Sequence, residues 1–268
     1  MTHIEAAILG IVQGLTEFLP VSSSAHLVMA QQFLEISEAN VMYDLILHLG
    51  TMCALLLVFG KDIVRLILSL GPPRFYGTNL EQQKRDAKFV GLLILAAIPT
   101  GIIGFFFDPI IDRLFTSLLI SGIGLVITGF LLISTKFKTK TNPNISIGQA
   151  ILIGTAQGIA VIPGVSRSGS TISAGILSGV DQSQAARFSL ILSIPVVFGA
   201  SLFHFLRHIP QNVTIGFEAA TGFLLSLFIG YLSLVVLLRI ISKGKFYMFS
   251  FYCWPVGIFL ILYSVFVL

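Results

Sequence analysis

Glu17, Ser23, His26 and Arg167 set a carboxylate, a hydroxyl, an imidazole and a guanidinium inside apolar stretches of the chain. Ionisable groups in such stretches are costly, and where they occur they mark a functional site by default. Gln13 and Glu17 are four apart, so on a helix they share a face. Glu17 suits a proton acceptor or an oxygen ligand for a divalent cation; the plainer alternative is a carboxylate satisfied by neighbouring hydroxyls and helix ends. Pro20 stops the helix that carries Glu17. Ser22, Ser23 and Ser24 then stand where a new helix starts, as N-cap candidates. His26 follows Ser23 by three, which lets the two side chains face one cavity. A hydroxyl beside an imidazole can be an activated nucleophile, and the free N–H groups of a helix start attract phosphate. Capping alone would also explain the serines.

A second stretch, Pro163-Gly164-Val165-Ser166-Arg167-Ser168-Gly169-Ser170-Thr171, wraps hydroxyls around one arginine. The planar fork of arginine matches phosphate oxygens. The structural alternative is an ion pair with Glu17, and such a pair could open when substrate arrives. The two stretches are related. Gly10, Gln13, Gly14, Ser22 and Ser24 fall on Gly154, Gln157, Gly158, Ser166 and Ser168 at a constant offset of 144, while the prolines miss by one. Acid, hydroxyl, imidazole and guanidinium together are what phosphoryl transfer needs: phosphate charge held and neutralised, with a proton acceptor nearby. Ser23 would attack phosphorus with His26 managing the proton; the rival mechanism has Ser23 only binding phosphate while water attacks.

These groups need elements that hold them. The chain has 268 residues, 55% of them hydrophobic and 10% charged, against about 25% charged in a soluble domain. Lipid is therefore its solvent. No basic face interleaved with stacking aromatics is present, which argues against a nucleic-acid partner. Cys53 and Cys253 lie in apolar runs and read as buried thiols. The N-terminus lacks the basic start of a cleaved signal peptide. Six segments are long and apolar enough to span a bilayer: 41–59, 89–107, 114–135, 187–207, 217–241 and 247–268. Two others, 4–31 and 147–180, are apolar but broken by Gly, Pro and Ser, and read as re-entrant helix pairs. Residues 61–70 read as an interfacial amphipathic helix.

Lys61, Arg65, Arg74, Lys84, Arg85 and Lys88, then Lys136, Lys138 and Lys140, then Arg239, Lys243 and Lys245 crowd three loops, whereas 32–40 and 108–113 are poor in Lys and Arg. Basic loops stay cytoplasmic. That rule puts both termini outside and brings the two re-entrant pairs in from opposite faces. The expected fold is an all-α integral membrane protein, with six transmembrane helices and two re-entrant pairs in an inverted-topology repeat. It forms one membrane domain with halves of about 1–140 and 141–268. Such repeats place their site at the repeat interface. Asp108 and Asp112 read as solvated loop residues. His48 and Asp44 stand at the mouth of the first full span and could border the site, although a lone histidine there is more often packed or solvated.

The two motifs resemble those of the bacterial undecaprenyl-diphosphatase family, the bacitracin-resistance proteins. Gln13 to Glu17 looks like the family's (Glu/Gln)-x-x-x-Glu element, Pro20 to His26 its serine–histidine element, and Pro163 to Thr171 its Pro-Gly-x-Ser-Arg-Ser-x-x-Thr element without substitution. Ala186 to Pro195 resembles the family segment that follows. Position 13 is Gln where Glu is common, and Ser24-Ala25 stands for a common Thr-Gly. The resemblance implies hydrolysis of undecaprenyl diphosphate to the monophosphate, which recycles the cell-wall lipid carrier and confers bacitracin resistance. It implies a multi-pass protein of the bacterial cytoplasmic membrane with a site open to the outer face. It also implies dependence on Mg2+ or Ca2+, with Glu17 and Gln13 as the metal candidates. Glu17, Ser23, His26 and Arg167 are then the expected catalytic residues, and Ser22, Ser166, Arg167, Ser168 and Thr171 the expected substrate-binding ones. A homodimer is compatible with the sequence. The competing function is transport, a flippase for polyprenyl phosphates; the Glu17–Ser23–His26 cluster argues against it, because a carrier needs an anion clamp but no nucleophile.

Overall fold

Two helices begin in the same way, 144 residues apart. Thr2 caps α1 (His3–Thr16) in a capping box with Glu5, and Ser146 caps α7 (Ile147–Ile159) in a capping box with Gln149. Each box satisfies two N–H groups that a helix start leaves without partners. Each helix then turns back into a second short helix, α2 (Ser23–Phe33) after α1 and α8 (Arg167–Leu177) after α7. At 14 and 13 residues, α1 and α7 extend about 20 Å, short of the roughly 30 Å of a bilayer's hydrocarbon core.

The computed structural model describes residues 2–36, 41–76, 79–138, 141–207 and 216–267. Lys140 and the last four positions of the 32–40 segment lie outside them. The fold is helical. Among the described residues, six helices are long and apolar enough to cross a membrane: α3 (Val41–Ser69), α5 (Leu80–Phe115), α6 (Leu118–Ser134), α9 (Gln182–Arg207), α10 (Phe217–Ser242) and α11 (Ser250–Phe266), with a short α4 (Pro73–Tyr76) before α5. The protein is an integral membrane protein. Ile94, Phe106, Phe130, Leu224 and Phe251 stand exposed on its outer faces, as expected where lipid replaces water.

Several boundaries differ from the sequence reading. α5 starts at Leu80, before the expected 89–107, so Lys84, Arg85 and Lys88 are helical residues. Residues 61–69 are not a separate interfacial helix but continue α3 without a break. Residues 108–113, expected as a loop, are the last turns of α5, so Asp108 is a helical residue. Hydropathy locates the stretch that lipid covers; it carries no signal for turns that run on into the headgroup zone.

The first helices of the two hairpins pack alike. α1 lies against α10, α7 against α5, and α6 against α11. Both close approaches depend on paired glycines. A Cβ on Gly10 would come 2.7 Å from the Gly222 carbonyl oxygen of α10, and one on Gly154 would collide with the Ala96 carbonyl of α5. This is the small-xxx-small packing of membrane helices: Gly10 and Gly14 serve one contact, Gly154 and Gly158 the other. Thr100 fastens the second by donating to the Gly154 carbonyl at 2.8 Å.

Candidate active site where the two hairpins meet

The turns of the hairpins, 17–22 and 160–166, bring the polar motifs together. α1 delivers Gln13 and Glu17 at its C-terminal end, α2 delivers Ser23 and His26 in its first turn, and α8 starts with Arg167. Ser22 caps α2 by accepting from the Ala25 N–H at 3.5 Å, and Ser166 caps α8 by accepting from the Gly169 N–H at 3.1 Å. The hydroxyls pair alike: Ser22 with Ser24 at 3.0 Å and Ser166 with Ser168 at 3.3 Å. The turns differ in where they place their left-handed residue. The second uses Gly164, φ +86°, as glycine allows. The first uses Ser22, φ +65°, a conformation that costs a non-glycine residue about 1–3 kcal/mol.

The second turn is anchored on α6. Thr128 donates to the Gly164 carbonyl at 3.0 Å and accepts from the Ser166 N–H at 2.9 Å. Ser168 crosses to the first turn, donating to the Leu19 carbonyl at 3.3 Å. From α11, Cys253 donates to the Pro20 carbonyl at 3.4 Å; Cys253 is buried, Cys53 half-buried, and both are free thiols.

Glu17 is the hub. Its Oε1 pairs with Arg167 Nη2 across the two hairpins. Its Oε2 accepts from Ser23 Oγ at 2.7 Å and from Gln13 Nε2 at 3.1 Å. The carboxylate is buried and Arg167 is nearly so, with side-chain exposures of 7% and 17%. In a medium of low effective dielectric such a pair must be well hydrogen-bonded to offset desolvation. It is incompletely so: among the described residues, Arg167 Nη1 and Gln13 Oε1 are buried without a hydrogen-bond partner. A buried guanidinium donor left open is costly, and its natural complement is an anion.

His26 lies one turn from Ser23 but does not bond to it. Its Nδ1–H donates to the Ser22 carbonyl at 2.8 Å, and in the neutral ring Nε2 accepts from the Tyr252 hydroxyl at 2.8 Å. The Tyr252 ring stacks on the imidazole with centroids 5.7 Å apart. Thr171 is buried one turn beyond Arg167, its hydroxyl bonded to the Arg167 carbonyl and to Ser189 Oγ of α9. Ser22, Ser166 and Ser168 are buried, whereas Ser23, Ser24 and Arg167 keep partial exposure.

Two further neighbours complete the site. His48 of α3, which the sequence offered as a possible border of the site, places Nε2 3.7 Å from Glu17 Oε2, with Nδ1 donating to the Asp44 carbonyl at 2.8 Å. Glu17, Arg167, His48, Thr51 and Ser193 line a small cavity between α3 and α9. Tyr252 is the other. Its bond to His26 joins residues 226 apart, so no local spacing could reveal it.

Among the described residues, no group of three or more His, Cys, Asp and Glu is arranged to hold a metal ion. Glu17 and the open Gln13 Oε1 are hard oxygen donors of the kind Mg2+ takes from a protein when substrate phosphates supply the rest. The residues present therefore fit a cation shared with a bound phosphate, not a cage made by protein alone.

Six membrane-crossing helices around a buried, anion-ready carboxylate–guanidinium pair define an integral membrane protein built to handle a charged group within an apolar bundle. The chain belongs to the bacitracin resistance protein BacA family, whose profile matches residues 6–259. It is 42% identical to an undecaprenyl-diphosphatase of Desulforapulum autotrophicum, over 96% of this chain and 97% of that one. Similar proteins of the same name come from Methanobrevibacter smithii, at 41% identity over 99% of both chains, and Halothermothrix orenii, at 39% over 98% of both.

Proposed function

We propose that the chain is an undecaprenyl-diphosphatase, releasing phosphate from undecaprenyl diphosphate and leaving undecaprenyl phosphate. The observation that carries this is the Glu17–Arg167 pair between the hairpins, with Arg167 Nη1 still open. A diphosphate entering where Ser23 and Arg167 keep partial exposure takes the guanidinium. Loss of its cationic neighbour makes the Glu17 carboxylate a better proton acceptor. Ser23 already donates to that carboxylate. Its oxygen attacks the terminal phosphorus, the proton passes to Glu17, and the bond to the bridging oxygen breaks to free undecaprenyl phosphate. Water then cleaves the phosphoserine. Glu17 is favoured over His26 as first acceptor because both His26 ring nitrogens are engaged elsewhere; His26 holds the serine turn. Ser22, Ser166, Ser168 and Thr171 shape the two helix starts that face the phosphates. A divalent cation held by Glu17, Gln13 and the substrate would neutralise charge on the diphosphate.

We further infer that the hairpins are re-entrant and enter from opposite faces of the bacterial cytoplasmic membrane, as an inverted repeat with its Lys-rich ends inside and the site open outward. The loop charges and the matched caps, glycines and hydroxyl pairs support this.

Phosphate release by the purified protein tests the function. Arg167→Ala should lower kcat by about 10²–10³-fold, the scale of removing one preorganised charge-stabilising donor. Ser23→Ala should abolish acid-stable phosphoserine trapped on rapid quenching; undiminished hydrolysis by Ser23→Ala would instead establish direct attack by water. No phosphate release, with lipid flipping in vesicles, would overturn the reading in favour of a carrier.

A further inference from the structure

A second cavity lies away from the hairpins. It is a groove of about 470 Å³ at the far end of α3, lined by Gly60, Lys61, Val64, Arg65, Leu68 and Tyr76. Residues 60, 61, 64, 65 and 68 follow helical spacing and form one face. At 29 residues, α3 extends about 44 Å, well beyond a hydrocarbon core of about 30 Å. Its final turns therefore reach headgroup depth. They remain apolar there: Val64 is 57% and Ile67 63% exposed.

The charges around the groove do not balance. Arg65 bonds Asp62 and Asp86, and Arg187 of α9 bonds Asp62. Asp86 also accepts from the Tyr76 hydroxyl at 2.6 Å, which fixes the opposite wall. Lys61 makes no ion pair among the described residues. Three cations thus meet two carboxylates, and the cation left over lines the groove. Gly60 gives the groove its room. A helix-interior glycine costs about 1 kcal/mol relative to alanine, and here no packing requires it, since a Cβ would meet nothing within 4 Å. It leaves the inner end of the groove open, next to Leu57, itself 66% exposed.

We propose that this groove is a binding site for an anionic glycerophospholipid of the leaflet at the Lys-rich end of α3. Its phosphodiester pairs with Lys61 beside Arg65, and an acyl chain runs over Gly60 and Leu57 toward the bilayer centre. A basic pocket at the membrane edge is how such headgroups are recognised. The site is independent of the catalytic reading, because none of its residues touches Glu17 or Arg167.

Native mass spectrometry of the detergent-purified protein, with phosphatidylglycerol and phosphatidylcholine of matched chains, tests it. One phosphatidylglycerol should be retained at least fivefold over phosphatidylcholine. Gly60→Leu, which fills the groove, and Lys61→Glu, which reverses its free charge, should each remove that preference while phosphate release stays at the wild-type level and so reports an intact fold. Equal retention of the two lipids, or undiminished preference in both variants, would overturn the proposal. Displacement of phosphatidylglycerol by glycerol phosphate at equal concentration would also overturn it, since the groove would then be a site for a free anion.

Discussion

Arg167 and Glu17 each carry a charge that would be costly alone in an apolar bundle, and each is tolerated because the other is present. This makes single removals asymmetric. Glu17→Gln keeps the shape but leaves Arg167 without a counter-ion, so both activity and stability should fall. Breaking a buried pair in this way costs about 3–5 kcal/mol, readable as a lowered denaturation midpoint in detergent. Phosphate should partly restore that midpoint by supplying the missing anion; no rescue by phosphate would argue that Arg167 does not face the substrate. Tyr252→Phe is a finer probe. It deletes one hydroxyl donor to His26 while keeping the stacked ring, a change of about 1 kcal/mol. If His26 holds the serine turn, kcat should drop about fivefold with KM little changed. At this scale the sequence was informative about residue types and silent about contacts. Gln13, Glu17, Ser23 and Arg167 could be singled out because polar groups stand out in apolar surroundings. The Ser23–Glu17 bond, the Tyr252–His26 bond and the approach of His48 needed the fold.

The helical hairpins are positioned by backbone contact as well as by side chains. Gly10 and Gly154 let α1 and α7 come so close to α10 and α5 that no Cβ fits. Gly154→Leu should therefore push α7 off α5, break the Thr100 bond to the Gly154 carbonyl, and destabilise the protein by about 1–3 kcal/mol or more. Gly91→Ala makes the useful contrast: it lies in α5 with open space around its Cβ, so it should be neutral or raise the thermal midpoint slightly. If both variants unfold at the same temperature, close helix approach is not what places the site. The hairpins were legible because Gly, Pro and Ser interrupt an apolar run. The capping boxes at Thr2 and Ser146 were equally readable, and they would have sharpened both helix starts. The ends of α3 and α5 were not: charged residues within 61–69 read as the start of a separate amphipathic helix although α3 runs on through them, and Pro109 lies inside α5 where a stop would be expected.

At the scale of the whole molecule, the repeat proposed above makes a directional claim. With Cys53 and Cys253 replaced by Ala, Lys138→Cys should react with a membrane-impermeant thiol reagent only from the cytoplasmic side, and Thr116→Cys only from the outside. The reverse pattern would invert the orientation and send the site to the wrong face. The two partners of the central ion pair are 150 residues apart in the chain, and that separation is also an interval of time. At a synthesis rate of about 5–20 residues per second, roughly 8–30 s pass between the emergence of Glu17 and that of Arg167. Throughout that interval the first hairpin has its acid but no cation. Its lasting place among the helices waits for the second hairpin, so the newborn protein stays chemically inert until two thirds of it have been made.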